Sequence, residues 1–280
     1  MSGPRSHQAV LVDAHVHIHP AFDARVLLDA AAENGRREAA MLRPGADPLV
    51  VLLLAETPGV DEFVGLRDAA TAGERVGAWR FSETSEASSL VASRDGGTAR
   101  LVVVAGRQTP TAEGLEVLAL GTLRRFSTGA PLEEAVREAL ASGALTVLPW
   151  GFGKWWGRRG ALVERVLTSA EGRRIFLGDN GGRTRAAGRP ALFDVAERLG
   201  TGVLPGTDPF PFASQARKAA RFGFALEGPA DLDRPMGWLR HRLEESPAPF
   251  RSYGALESPA AFVMLQLAMQ LHKRRNGHSR

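Results

Sequence analysis

One stretch near the start of the chain constrains everything after it: Val10-Leu11-Val12-Asp13-Ala14-His15-Val16-His17-Ile18-His19-Pro20. Three of the seven histidines fall within it. The apolar run Val10 to Val12 reads as a buried strand. Alternate side chains of an extended chain share a face, so Asp13, His15, His17 and His19 are expected to point one way. Neutral imidazole is the commonest metal ligand, and neighbours on one strand face can reach a single divalent ion without rearrangement of a loop. The pattern D-x-H-x-H-x-H behind an apolar run therefore points to metal binding, or to descent from a metal site.

The absence of cysteine rules out thiolate ligands, disulfides and a cysteine nucleophile, so any ion must rest on nitrogen and oxygen donors. The basic residues are 32 arginines and three lysines, scattered without a concentrated block, and the formal net charge is only +4. No nucleic-acid partner is expected from that distribution. No apolar run approaches the roughly 18 residues of a membrane span, and the first seven residues carry no apolar signal region. The expectation is a soluble cytoplasmic protein with no membrane partner.

With 280 residues, 44% of them hydrophobic, the chain can bury a large α/β core. A helix-forming segment at 21–42, which Gly35 could divide, follows the opening strand, and Leu49 to Leu54 reads as a strand delivering Glu56 into a loop. Short strand-like runs at 75–81, 89–93 and 100–105 elaborate the middle of the chain, and 115–120 is a further strand candidate. From Pro131 on, strands at 145–148, 174–177 and 202–204 alternate with helices at 161–170, 191–199 and 213–221. Each strand-then-helix step favours a parallel sheet. The pattern predicts a single (β/α) barrel, seven- or eight-stranded and TIM-barrel-like, over residues 8–275, with flexible tails at 1–7 and 276–280. In such a barrel the loops after the strands carry the site.

With His15 and His17 after the first strand, the chain resembles the metal-dependent hydrolases of (β/α) barrel type. It is similar first to the polymerase and histidinol phosphatase (PHP) family. Gly114-Leu115-Glu116-Val117 looks like that family's glycine, apolar residue and metal-binding glutamate, and Gly206-Thr207-Asp208 is similar to its late S-D-x-H motif. The resemblance implies Glu116 as a ligand. The motifs are degenerate: Glu56-Thr57 and Leu148-Pro149 replace histidine-bearing motifs, Phe210 replaces the late histidine, and no histidine occurs between His19 and His241. The amidohydrolases are the second resemblance, through the paired histidines and Asp208, with Lys154 in the place of a bridging lysine.

The residues available to an ion are then His15, His17, Glu56, Glu116 and Asp208, with His19 and Asp179 as further candidates. This N/O set suits zinc, manganese or iron. Asp208 or Asp179 would take a proton from an activated water, and Lys154 would contact an anion or take part in proton transfer. For Asp179 a turn, for Glu56 a solvated loop and for Glu116 an outward strand position stand as structural alternatives. Arg158, Arg183 and Arg185 on two Gly-rich loops, with Asn180 and Trp150 beside them, form the expected binding surface for a small anionic substrate. His15, His17, Asp179 and Asp208 are expected to converge at one end of the fold, with Lys154 in the same cleft. The function expected is metal-dependent hydrolysis of a phosphorylated or other anionic small molecule. The alternative is a non-catalytic PHP-like barrel that has lost ligands and acts as a binding module.

Overall fold

The computed structural model describes residues 9–45, 47–245 and 250–277. The chain opens with β1 (Ala9–Val16), α1 (Ala24–Leu42), β2 (Leu49–Leu54) and α2 (Glu62–Ala72). A run of strands follows: β3 (Arg75–Val76), β4 (Trp79–Glu83), β5 (Ser89–Arg94), β6 (Arg100–Val104), β7 (Gly106–Pro110) and β8 (Glu116–Leu120). The second half is α3 (Leu132–Ala141), β9 (Leu145–Pro149), α4 (Arg158–Thr168), β10 (Ile175–Asn180), α5 (Ala191–Arg198), β11 (Val203–Gly206), β12 (Phe222–Glu227), α6 (Pro235–Glu245), β13 (Arg251–Gly254) and α7 (Pro259–Gly277). The expected tail at 1–7 lies outside the described residues. Helix α7 runs two residues into the expected 276–280 tail, and residues 278–280 lie outside the description.

Among the described residues the strands form two mixed sheets and no closed barrel. The first has eight strands in the order β13-β12-β1-β2-β6-β5-β4-β3, and the second has five in the order β11-β10-β9-β8-β7. Among the described strands, β1-β2-β6 and β9-β10-β11 are the parallel runs. The barrel expected from strand-then-helix alternation fails in two places. A short 3-10 turn, Ala213–Lys218, stands where a helix over 213–221 was expected, and β12 then returns antiparallel to β1, occupying the edge a closing parallel strand would need. On the other side, β7 and β8 pair antiparallel with each other and β8 with β9. A hairpin needs no crossover helix, so it interrupts the repeated unit that closes a parallel barrel.

The two sheets share an apolar core. Val10, Val12, Val51, Leu53 and Val102 from the first meet Leu118, Leu120, Leu145, Val147 and Leu204 from the second. Helices α1 and α2 cover the outer face of the first sheet, with Leu27, Leu28, Phe63 and Leu66 against Val50, Leu52 and Leu54. Helices α3, α4 and α5 cover the second through Val136, Val163 and Phe193. Helix α1 is continuous through Gly35: a Cβ there would overlap Val50, so the glycine lets the helix lie directly on β2. Helix α6 adds Met236, Leu239 and Leu243 to the shared core, beside the beginnings of β9 and β10. The ends of β1, β9, β10 and β11 carry the polar residues of the candidate site. Among the described residues, no helix is long and apolar enough to cross a membrane.

Candidate metal centre

Strand β1 does not keep one side-chain phase along its length. Asp13 faces Leu52 and Val16 faces Leu54 on β2, so β1 carries one residue more than its partner over this interval. An extra residue reverses which face the following side chains take. Before it, Val12 and Ala14 point into the core between the sheets; after it, Val16 and Ile18 point to the opposite, helix-covered side. His15 and His17 are thereby turned inward, and Asp13 is left on the other face. The expectation that Asp13 shares a face with the histidines is corrected by this bulge.

Asp13 is fully buried and acts as a structural acceptor. It receives bonds from the Thr207 N–H (2.8 Å), the Thr207 hydroxyl (2.6 Å), the Ala220 N–H (2.9 Å) and the His15 N–H (3.3 Å). Burial pushes its carboxyl up to about 7, against the pull of the Thr207 bonds. The result ties the segment after β11 to the end of β1.

That tie places Asp208. Gly206 lies so close to β1 that a Cβ would fall 2.6 Å from the His15 Cβ and nearer still to the His15 backbone nitrogen. Two residues on, the Asp208 N–H donates to the His15 carbonyl at 2.7 Å. Asp208 holds a left-handed backbone (φ 43°), uncommon for a residue with a side chain and concentrated at functional sites. Its Oδ1 lies 3.2 Å from His17 Nε2 and 3.5 Å from His15 Nε2, and the two Nε2 atoms are 3.0 Å apart. Asn180, at the end of β10, donates from Nδ2 to Asp208 Oδ2 and accepts from the Gly182 N–H at 2.7 Å. Burial holds His15 below its ordinary range, against the attraction of Asp208, which favours the neutral imidazole a metal needs. For Asp208 burial acts upward, but the two imidazoles and then Lys154 outweigh it and hold the carboxyl well below the carboxylate range.

These spacings fit an ion. Donors about 2.0–2.2 Å from one centre lie about 3.0 to 3.5 Å from each other when they occupy neighbouring positions of a tetrahedron or octahedron. His15, His17 and Asp208 are the described histidine and carboxylate side chains whose ligand atoms gather within 4.8 Å. Two imidazoles and a carboxylate are an N/O donor set of the kind zinc, manganese or iron accept.

The other expected site residues divide sharply. Glu56 is buried and committed elsewhere, accepting from the Phe63 N–H at the start of α2 (2.7 Å) and pairing with Arg107 (2.8 Å). It is not part of the cluster. Glu116 lines the same cleft as Asp208, but its carboxylate pairs with Lys154 Nζ at 2.5 Å. Asp179 is held by both forks of Arg183 at 2.9 Å, so neither residue turns to the cleft, and the proton-accepting role expected of Asp179 is corrected. Arg158 and Arg185 are exposed and do not line the cleft, so of the expected basic surface only Lys154 reaches it. A Cβ on Gly151 would meet the Lys154 stem at 2.6 Å, which is how the loop makes room for that side chain. His19 stacks on His17 at 4.9 Å, and its ring N–H donates to the Pro209 carbonyl at 3.0 Å. Burial, then His17, lowers its pKa to about 4.

The cleft measures about 340 Å³. Trp150, Phe152, Phe210 and Phe262 supply apolar wall, and Gln266 and Met269 of α7 complete one side. Sequence reasoning missed that side, although Phe262, Gln266 and Met269 follow the spacing of one helix face. It also missed Gln108 of β7, whose Oε1 lies 3.0 Å from His15 Nε2. Of the three tryptophans in the loop, Trp150 reaches the cleft, Trp155 packs edge-on against Phe193 in the core, and Trp156 is exposed.

No protein-family profile matches this chain. No curated protein matches it either. Among solved structures it is similar to PsfC from Pseudomonas syringae PB-5123, with 16% sequence identity, a TM-score of 0.55, and coverage of 94% of this chain and 98% of that one. At that identity the likeness is one of fold alone.

Proposed function

We propose that this chain is a metal-dependent hydrolase acting on a small anionic molecule, with one divalent ion held by His15, His17 and Asp208. The observation that carries the reading is the set of inter-ligand distances, 3.0, 3.2 and 3.5 Å, among atoms of His15, His17 and Asp208, far apart in the chain. The resemblance to PHP and amidohydrolase enzymes lends its weight only through these same three residues. A divalent ion at this point would lower the pKa of a bound water and polarise a phosphoryl or carbonyl oxygen.

The chain's own residues supply the rest. Asp208 would offer Oδ1 to the ion, and Asn180 holds Oδ2 and so fixes the carboxylate's rotation. Lys154 is a compact cation in the same cleft, and an incoming phosphate or carboxylate would compete with Glu116 for it. The aromatic wall would cover the organic part of the substrate and exclude water from it.

The test is turnover of a panel of phosphate esters and amides by the chelated chain, with zinc, manganese or iron(II) restored singly. Turnover that requires the ion and disappears in Asp208→Asn supports the reading. Ion uptake without turnover of any of these substrates overturns the hydrolase and leaves a metal-holding binding module.

A further inference from the structure

We infer that Gln108 is the fourth protein donor of this centre and that its neutrality tunes the site for an anionic ligand. The inference rests on the metal reading given above.

The geometry around His15 Nε2 is the starting point. This one atom has three polar neighbours: His17 Nε2 at 3.0 Å, Gln108 Oε1 at 3.0 Å and Asp208 Oδ1 at 3.5 Å. An imidazole nitrogen has a single in-plane site, either one hydrogen or one lone pair. One hydrogen cannot point at three partners. A cation facing the lone pair answers all three distances at once, because donors about 2.0–2.2 Å from a common centre stand this far apart.

Backbone placement gives a second, independent indication. Gly106 opens β7 so near its neighbours that a Cβ would overlap the Leu54 carbonyl oxygen and lie 2.9 Å from Leu120 Cδ2. Gln108 follows two residues later. Gly206 approaches β1 as closely, and Asp208 follows two residues later. Each glycine permits a close approach of backbone to β1 or β2, and the residue two places on brings an oxygen to His15 Nε2, Gln108 Oε1 at 3.0 Å and Asp208 Oδ1 at 3.5 Å. The neighbour of Gln108, Arg107, turns elsewhere, to Glu56 and Asp61.

Charge then distinguishes glutamine from the carboxylate that could occupy the same space. Two neutral imidazoles, one carboxylate and one amide carry a net charge of −1, so a divalent ion leaves the centre at +1. A glutamate would bring it to zero. The amide thus keeps an ion bound while preserving attraction for an anion, alongside Lys154.

The experiment is titration of the full chain with cobalt(II), followed by its visible ligand-field spectrum, and with zinc by calorimetry. Inorganic phosphate binding to the metal-loaded protein is measured in parallel. Variants are Gln108→Leu and Gln108→Glu, with thermal unfolding as the check on folding. We expect Gln108→Leu to lose at least about tenfold in metal affinity and to change the cobalt spectrum. Gln108→Glu should bind metal at least as tightly as the parent but hold phosphate more weakly, two effects of opposite sign that a purely packing role would not give. Unchanged metal affinity and an unchanged cobalt spectrum in both variants would overturn the inference about Gln108 alone. Failure of the unsubstituted chain to bind either ion would overturn it together with the metal reading.

Discussion

Gly206 lies against the backbone of His15 with no space for a side chain: a Cβ at 206 would stand 2.6 Å from the His15 Cβ and would overlap the His15 nitrogen. Backbone ties that bring Asp208 to the histidines sit beside this contact. The Asp208 N–H bond to the His15 carbonyl and the Thr207 bonds to Asp13 lie within two residues of it.

Gly206→Ala should therefore separate β11 from β1. Forcing a methyl into a closed site costs about 1–3 kcal/mol, read as a lower urea midpoint with unchanged slope. The same variant should lose metal uptake. A variant with the parent's midpoint and the parent's metal content would show that the contact does not set the site.

Asp13 gives a pH signature. Its carboxyl is raised from 3.8 to about 7 by burial, so between those values the folded chain holds a proton that the unfolded chain releases. Stability from this group is greatest below pH 4 and declines as pH rises toward 7, because the unfolded state then binds fewer protons than the folded one. The loss is on the order of a few kcal/mol. Asp13→Asn should flatten that decline in denaturant titrations of the metal-free chain from pH 4 to 7. A parallel slope in parent and variant would remove Asp13 as its source.

How far the sequence reaches can be judged from these residues. His15, His17 and Asp208 are visible as polar residues that follow apolar runs, and the strand period with loop position is enough to single them out. The bulge in β1 is not visible, since an extra residue leaves the D-x-H-x-H spacing unaltered while reversing the face of Asp13. The closed barrel fails for a related reason. Local alternation of strand and helix does not record whether Phe222–Glu227 returns antiparallel, and that is settled by pairing with β1. Glu56, Asp179 and Arg183 read as site residues because acids and bases in loops have the same composition whether they face a cleft or one another. Only the fold shows that Glu56 is committed to Arg107 and Asp179 to Arg183.

The Lys154–Glu116 pair predicts an asymmetry in anion binding. Both side chains are partly exposed, so the pair is worth about 0–1 kcal/mol. Glu116→Gln should free Lys154 and tighten phosphate binding about two- to fivefold at low salt, with Lys154→Ala weakening it by a similar factor. Binding measured at 50 mM and 500 mM salt checks both, and the differences should shrink at the higher salt. Phosphate affinity unaffected by either substitution would place the anion elsewhere.

Whether His15, His17 and Asp208 hold one ion between them is read from metal content. The full chain would be stripped with chelator, reloaded separately with zinc, manganese or iron(II), freed of excess ion and analysed by mass spectrometry for metal per chain. The parent should carry one equivalent of at least one of these ions, and the His15→Ala/His17→Ala variant none above background. A parent chain that retains no ion, or a double variant that retains as much as the parent, would rule out this metal centre.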